Sequence, residues 1–73
     1  MTPVVDDTSR LNIVRLRYRA AFDAYQSISA RNAETVSKGG EPSEQDLVAE
    51  RTAADDLNKA RDAMMAARAH LNR

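Results

Sequence analysis

One stretch of this chain resists being read as helix: Ser37 to Asp46, "SKGGEPSEQD". Gly39 and Gly40 tolerate the positive φ that ends a helix, Lys38 suits the carbonyl-rich end before them, and Pro42 lacks the N–H that a continuing helix needs. Ser43 then has the side chain of an N-cap, and Glu44 and Asp46 place carboxylates beside the unpaired N–H groups of a first turn. The pattern predicts helix 1 over about 3–38, a turn over 39–43 and helix 2 over about 44–72. Two starts compete for the first helix: Thr2 capping with Pro3 at the first helical position, or Asp7 or Thr8 capping a later one. The earlier start is the one expected.

The apolar spacing supports helices and no strand. Val4, Leu11, Tyr18 and Tyr25 recur every seventh residue, interleaved with Val14, Ala21 and Ile28 and widened by Phe22 and Val36. In the second half Leu57, Met64 and Leu71 form one such series, and Ala53, Ala60 and Ala67 form another. A short connection makes the two helices antiparallel neighbours. The expected fold class is therefore all-α, an antiparallel two-helix hairpin in a single domain. Its seam is Leu11, Val14, Tyr18, Ala21, Phe22, Tyr25 and Ile28 against Ala53, Leu57, Ala60, Met64, Ala67 and Leu71. Matching large side chains to small ones gives an expected register with Val14 facing Leu71, Tyr18 facing Ala67, Ala21 facing Met64, Tyr25 facing Ala60 and Ile28 facing Leu57. Asn32 and Glu50 interrupt the stripes near the turn, where polar residues commonly fix register.

Composition explains why a lone hairpin is insufficient. Thirteen of the 73 residues are alanine, which favours helix but contributes little to a core. Small domains bury a low fraction of their surface and need help from metal, disulfides or a partner. The chain has no cysteine, which removes disulfides and thiolate metal sites and favours an intracellular, cytoplasmic setting. "MTPVVDDTSR" has acids where a signal peptide carries basic residues, and no apolar run approaches membrane-spanning length.

Nothing in the residues composes a catalytic site. His70 is the sole histidine and lies at the end of a helix; no glutamate has the Glu-x-x-His spacing of di-metal bundles, "DDLNKARD" lacks the glycine of a calcium loop, and Gly39-Gly40 precede no phosphate-loop Lys-Ser. The expectation is a protein that is not an enzyme, with no catalytic, cofactor-binding or metal-binding residues.

Arg10, Arg15, Arg17 and Arg19 raise a different possibility. Stepping about 100° per residue around the helix, Arg15 and Arg19 flank the seam on one side and Arg10 and Arg17 on the other. Away from the seam lies a second apolar patch of Ile13, Leu16, Ala20 and Ala24, and this patch with Arg15 and Arg19 is the candidate partner surface. Basic and acidic residues balance at eleven each, but unevenly: residues 8–38 hold six basic and two acidic groups, residues 44–73 five and six. An antiparallel hairpin collects Arg10, Arg15, Arg17 and Arg19 with Arg61, Arg68 and Arg73 at its open end, and Glu34, Glu41, Glu44, Asp46 and Glu50 at its turn. Two hairpins set head to tail match these ends and form a four-helix bundle homodimer. The expected function is a small non-catalytic interaction module, a self-associating bundle or an adaptor-like or co-chaperone-like hairpin on a protein partner. The alternative is an RNA- or DNA-binding bundle using the arginine-rich open end.

Overall fold

A computed structural model describes residues 7–71 as two helices, α1 (Asp7–Ser37) and α2 (Glu44–Leu71), packed against each other, with no strand among the described residues. The earlier start for the first helix, at Pro3, lies outside the described residues, as does residue 72 of the second. The connection runs from Lys38 to Ser43, one residue longer at its start than the sequence pattern implies.

Local chemistry builds this connection. Gly39 has φ of 87° and donates its N–H to the Val36 carbonyl at 2.9 Å, while the Gly40 N–H reaches the Thr35 carbonyl at 3.0 Å. These are the paired bonds of a Schellman motif, which satisfy two carbonyls the helix end would otherwise leave open. A Cβ at Gly40 would come within 3.3 Å of Thr35 Cγ2 and its carbonyl oxygen, so the chain turns in close contact with the helix it leaves. Lys38 pairs with Glu34 at 3.2 Å across the last turn. Three residues after Gly40, the Ser43 Oγ accepts the Asp46 N–H at 3.1 Å and the Ser43 carbonyl accepts the Leu47 N–H at 3.0 Å, which is N-cap geometry.

The turn also sets the register, and here the structure departs from the large-against-small pairing. Asn32 hydrogen-bonds to the Asp46 carbonyl and to the Glu50 side chain, whereas the expected register would set it opposite Ala53. Val14 and Ala67 line one cavity, and Ile28 and Ala53 another. Relative to the expected register, α2 is displaced by about one helical turn of 5.4 Å. Side-chain volume alone could not fix this, because a seam that repeats every seven residues offers similar complementarity at neighbouring registers; the tightly capped connection selects one of them.

The seam contains buried Leu11 and Ala53 and half-buried Val14, Tyr18, Ala21, Tyr25, Ile28, Leu57, Ala60, Met64 and Ala67. Phe22 differs: it is 39% exposed and stacks on Tyr18, with ring centroids 6.3 Å apart. Its position follows the seam residue Ala21 and turns it toward the flank of the hairpin. Leu71, the last residue of α2, is also exposed. The result is a rod of 56 × 27 × 15 Å with a radius of gyration of 16.6 Å, against about 11 Å for a compact domain of this length.

The two caps make separable predictions for thermal or urea unfolding followed by circular dichroism. Gly39→Ala must hold a Cβ at positive φ and loses about 1–2 kcal/mol. Ser43→Ala loses about 1 kcal/mol with its cap bond, whereas Ser43→Asp, which retains an acceptor, stays close to the parent protein.

Candidate interaction surfaces

Asn32 is the most buried polar side chain among the described residues, at 5% exposure, where it and Glu50 interrupt an otherwise apolar seam. Its amide donates to the Asp46 carbonyl and to Glu50 Oε1, both at 3.2 Å. These bonds tie the last third of α1 to the first turns of α2. Arg31 lies beside them, 3.8 Å from an Asp46 carboxylate oxygen, an exposed pair worth little in itself. The Asn32 Oδ1 has no hydrogen-bond partner among the described residues. Turning the amide over would bring its oxygen against two acceptors, so the donating orientation is the one the surroundings permit.

With the register fixed, the two flanks of the hairpin acquire different characters. One is a groove. Near the open end it holds a depression of about 450 Å³ lined by Arg10, Ile13, Arg17, Ala66 and His70, with Val14 and Ala67 at its floor. Toward the turn a second, of about 520 Å³, lies between Ala20, Ala24 and Ile28 of α1 and Ala49, Thr52 and Asp56 of α2. Nearly every lining residue of the second is alanine or a short polar group, so the backbones of both helices come close to the surface.

The other flank is arginine-rich. Counting helical positions from the seam, Arg15, Arg19 and Phe22 of α1 stand on the side away from the groove, as do Arg51, Arg61, Met65 and Arg68 of α2. All seven residues are exposed. Glu44, in the first turn of α2, is the one acidic residue at an equivalent position. Asp23, Asp55 and Asp62 occupy the outer backs of the helices.

The structure thus divides the sequence-derived partner surface. Ile13, Ala20 and Ala24 are together in the groove, and the arginines beside them are Arg10 and Arg17. Arg15 and Arg19 lie across α1 on the opposite flank. Leu16, at 71% exposure, faces directly away from α2 and belongs to neither flank. Arg61 and Arg68 were expected at the open end with the arginines of α1, but their place on one flank with Arg15 and Arg19 was not; Ala49, Thr52 and Ala66, which continue the groove, and Arg51 were not singled out. Their signal is their heptad position, which becomes informative only once the two helices are paired.

Among the described residues, no three His, Asp or Glu side chains gather as a metal-holding group, and no helix is long and apolar enough to cross a membrane. Compared with models of protein families, with curated proteins and with solved structures, the chain finds no match.

The Asn32 clasp can be tested by changing its charge. Asn32→Asp sets a carboxylate against the Glu50 carboxylate and the Asp46 carbonyl and removes both donors; the expected loss at neutral pH is about 2–3 kcal/mol or more. Burial and the acceptors around it raise the folded-state pKa of the new acid above the value of about 3.9 it has when unfolded. The deficit is therefore greatest above the folded pKa and shrinks as acid restores a donor. An equal deficit at all pH values would show that the residue does not face Glu50.

Proposed function

We propose that the chain is a non-catalytic helical interaction module whose hairpin is completed by other helices docking in its groove, in the first instance those of a second copy set head to tail. The carrying observation is the incompleteness of the hairpin. Its accessible surface is 5946 Å², whereas a compact monomer of this mass exposes about 4,500 Å². The surplus of roughly 1,400 Å² exceeds the 800 Å² or so that each partner contributes to a standard interface. Among the described residues eight large apolar side chains are exposed, with Ile13, Leu16, Val36, Leu47, Val48 and Met65 each above 40%, and no large side chain is fully buried.

Two features support the groove as the docking face. Alanines at Ala20, Ala24, Ala49 and Ala66 let a third helix approach closely, and close approach is what short side chains contribute to a bundle. Charge favours the head-to-tail order: Arg10 and Arg17 border the groove at the open end, and Asp56 borders it toward the turn. A two-fold axis across the hairpin brings these ends together twice.

Sedimentation equilibrium on paired variants tests this assignment. Ala24→Glu places a charge on the floor of the contact and reduces a dimeric mass to the monomer; Leu16→Glu, on the outer back, leaves the dimer intact. Dissociation by Leu16→Glu alone would move the interface to the back of α1, and a monomeric parent protein at all concentrations would end the proposal.

A further inference from the structure

The arginine flank is a second surface, opposite the groove, and its character is the same whether or not the groove is an interface. Arg15 and Arg68 stand level with each other across the hairpin, each adjoining one of the neighbouring seam residues Val14 and Ala67. One repeat further along, Phe22 and Arg61 stand level in the same way, with Arg19 a turn before Phe22 on α1. Four arginines and an exposed aromatic ring therefore share this flank over the open half of the rod. None of the four has a carboxylate within ion-pair distance among the described residues, whereas Arg31 pairs with Asp46 and Lys38 with Glu34 near the turn. Three arginines of the flank, Arg15, Arg61 and Arg68, have neither an acidic residue four positions away nor one at an adjacent position across the seam.

We infer that this flank binds single-stranded nucleic acid, with Arg15, Arg19, Arg61 and Arg68 on the phosphates and Phe22 as a ring on which a base stacks. The arginine spacing suits a phosphate chain: along the axes, Arg15 and Arg19 are about 6 Å apart and Arg61 and Arg68 about 10 Å. Phe22 is the feature that selects among anionic partners. An exposed ring backed by the Tyr18 ring 6.3 Å away is a rigid platform, and a base offers it a π-face whatever the sequence. Asn12, Gln26 and Asn58, exposed on the same flank, supply amides for base edges. An acidic protein surface would use the arginines but leave the ring without a matched partner. A paired duplex keeps its bases stacked inside and presents none to Phe22.

The experiment is fluorescence anisotropy of a labelled oligouridylate titrated with the full chain at several salt concentrations, the variants first shown by circular dichroism to retain their helix content. Four phosphate contacts on a single strand predict a slope of log affinity against log salt of about −2.8, from about −0.7 per contact. Arg15→Gln with Arg19→Gln makes the slope shallower by about 1.4, and the same change at all four arginines abolishes binding. Arg10→Gln with Arg17→Gln, on the groove side, leaves the slope as it was. Phe22→Ala weakens binding about 5- to 100-fold at unchanged slope, and Phe22→Tyr restores it. The inference is overturned by absence of binding at low salt, by a Phe22→Ala variant that binds as the parent does, by preference for a duplex of the same length, or by equal competition from polyglutamate or phosphatidylserine vesicles.

Discussion

The contact on which the geometry of this molecule depends is the Asn32 amide held between the Asp46 carbonyl and the Glu50 carboxylate. A seven-residue repeat built from alanine and medium-sized apolar side chains leaves neighbouring registers close in energy. A buried amide removes that degeneracy, because sliding α2 by a turn would leave its donors facing apolar groups and cost about 1–3 kcal/mol. Hydrogen bonds of this kind add little net stability; what they contribute is the difference between the correct alignment and its competitors. The Asn32 Oδ1, without a partner among the described residues, is part of the cost of that selectivity. The Schellman turn at Gly39 and Gly40 and the Ser43 cap act in the same direction, fixing the length of the connection so that Asn32 and Glu50 arrive opposite each other.

Register in turn decides which residues share a surface. In this register Ala20, Ala24, Ala49 and Ala66 line one flank, and Arg15, Arg19, Arg51, Arg61 and Arg68 stand on the other. The groove and the arginine flank are therefore consequences of the clasp as much as of the individual residues. Because the two flanks point in opposite directions, a dimer closed through its grooves would carry an arginine flank on each outer side, and two such flanks would let one assembly engage a nucleic-acid strand at two places with the gain in effective affinity that linkage brings.

The helices, their antiparallel arrangement and the residues at the break were legible in the sequence, since each rests on local chemistry: Gly39 and Gly40 for the turn, Ser43 for the cap, the repeat of Leu11, Tyr18 and Tyr25 for the inner face. Asn32 and Glu50 were legible as interruptions of the stripes. The register was not, because matching volumes along the seam is satisfied in more than one way, and the arithmetic of the turn is the stronger constraint. Phe22 was assigned to the seam because it is large and adjoins Ala21; its placement on the flank comes from the angle between successive helical positions, which a list of apolar residues does not weigh. The arginine flank escaped notice for the same reason. Arg61 and Arg68 were read as meeting Arg15 and Arg19 at the open end, but not as sharing one flank with them.

On the reading proposed above, a hairpin with so little enclosed core is half of its functional structure. Two side chains of the apolar seam, Leu11 and Ala53, are buried, and apolar burial of a few kcal/mol per large residue is spread thinly over two helices that must both be ordered. Stability that comes from a second copy carries a signature that internal packing does not share: it depends on protein concentration through mass action. The direct measurement is the thermal unfolding midpoint, followed by circular dichroism at constant pH and salt across a hundredfold range of protein concentration. A half-structure completed by its copy has a midpoint that rises steadily with concentration, together with a dimeric mass at the upper end; a midpoint independent of concentration, with a monomeric mass throughout, would contradict it.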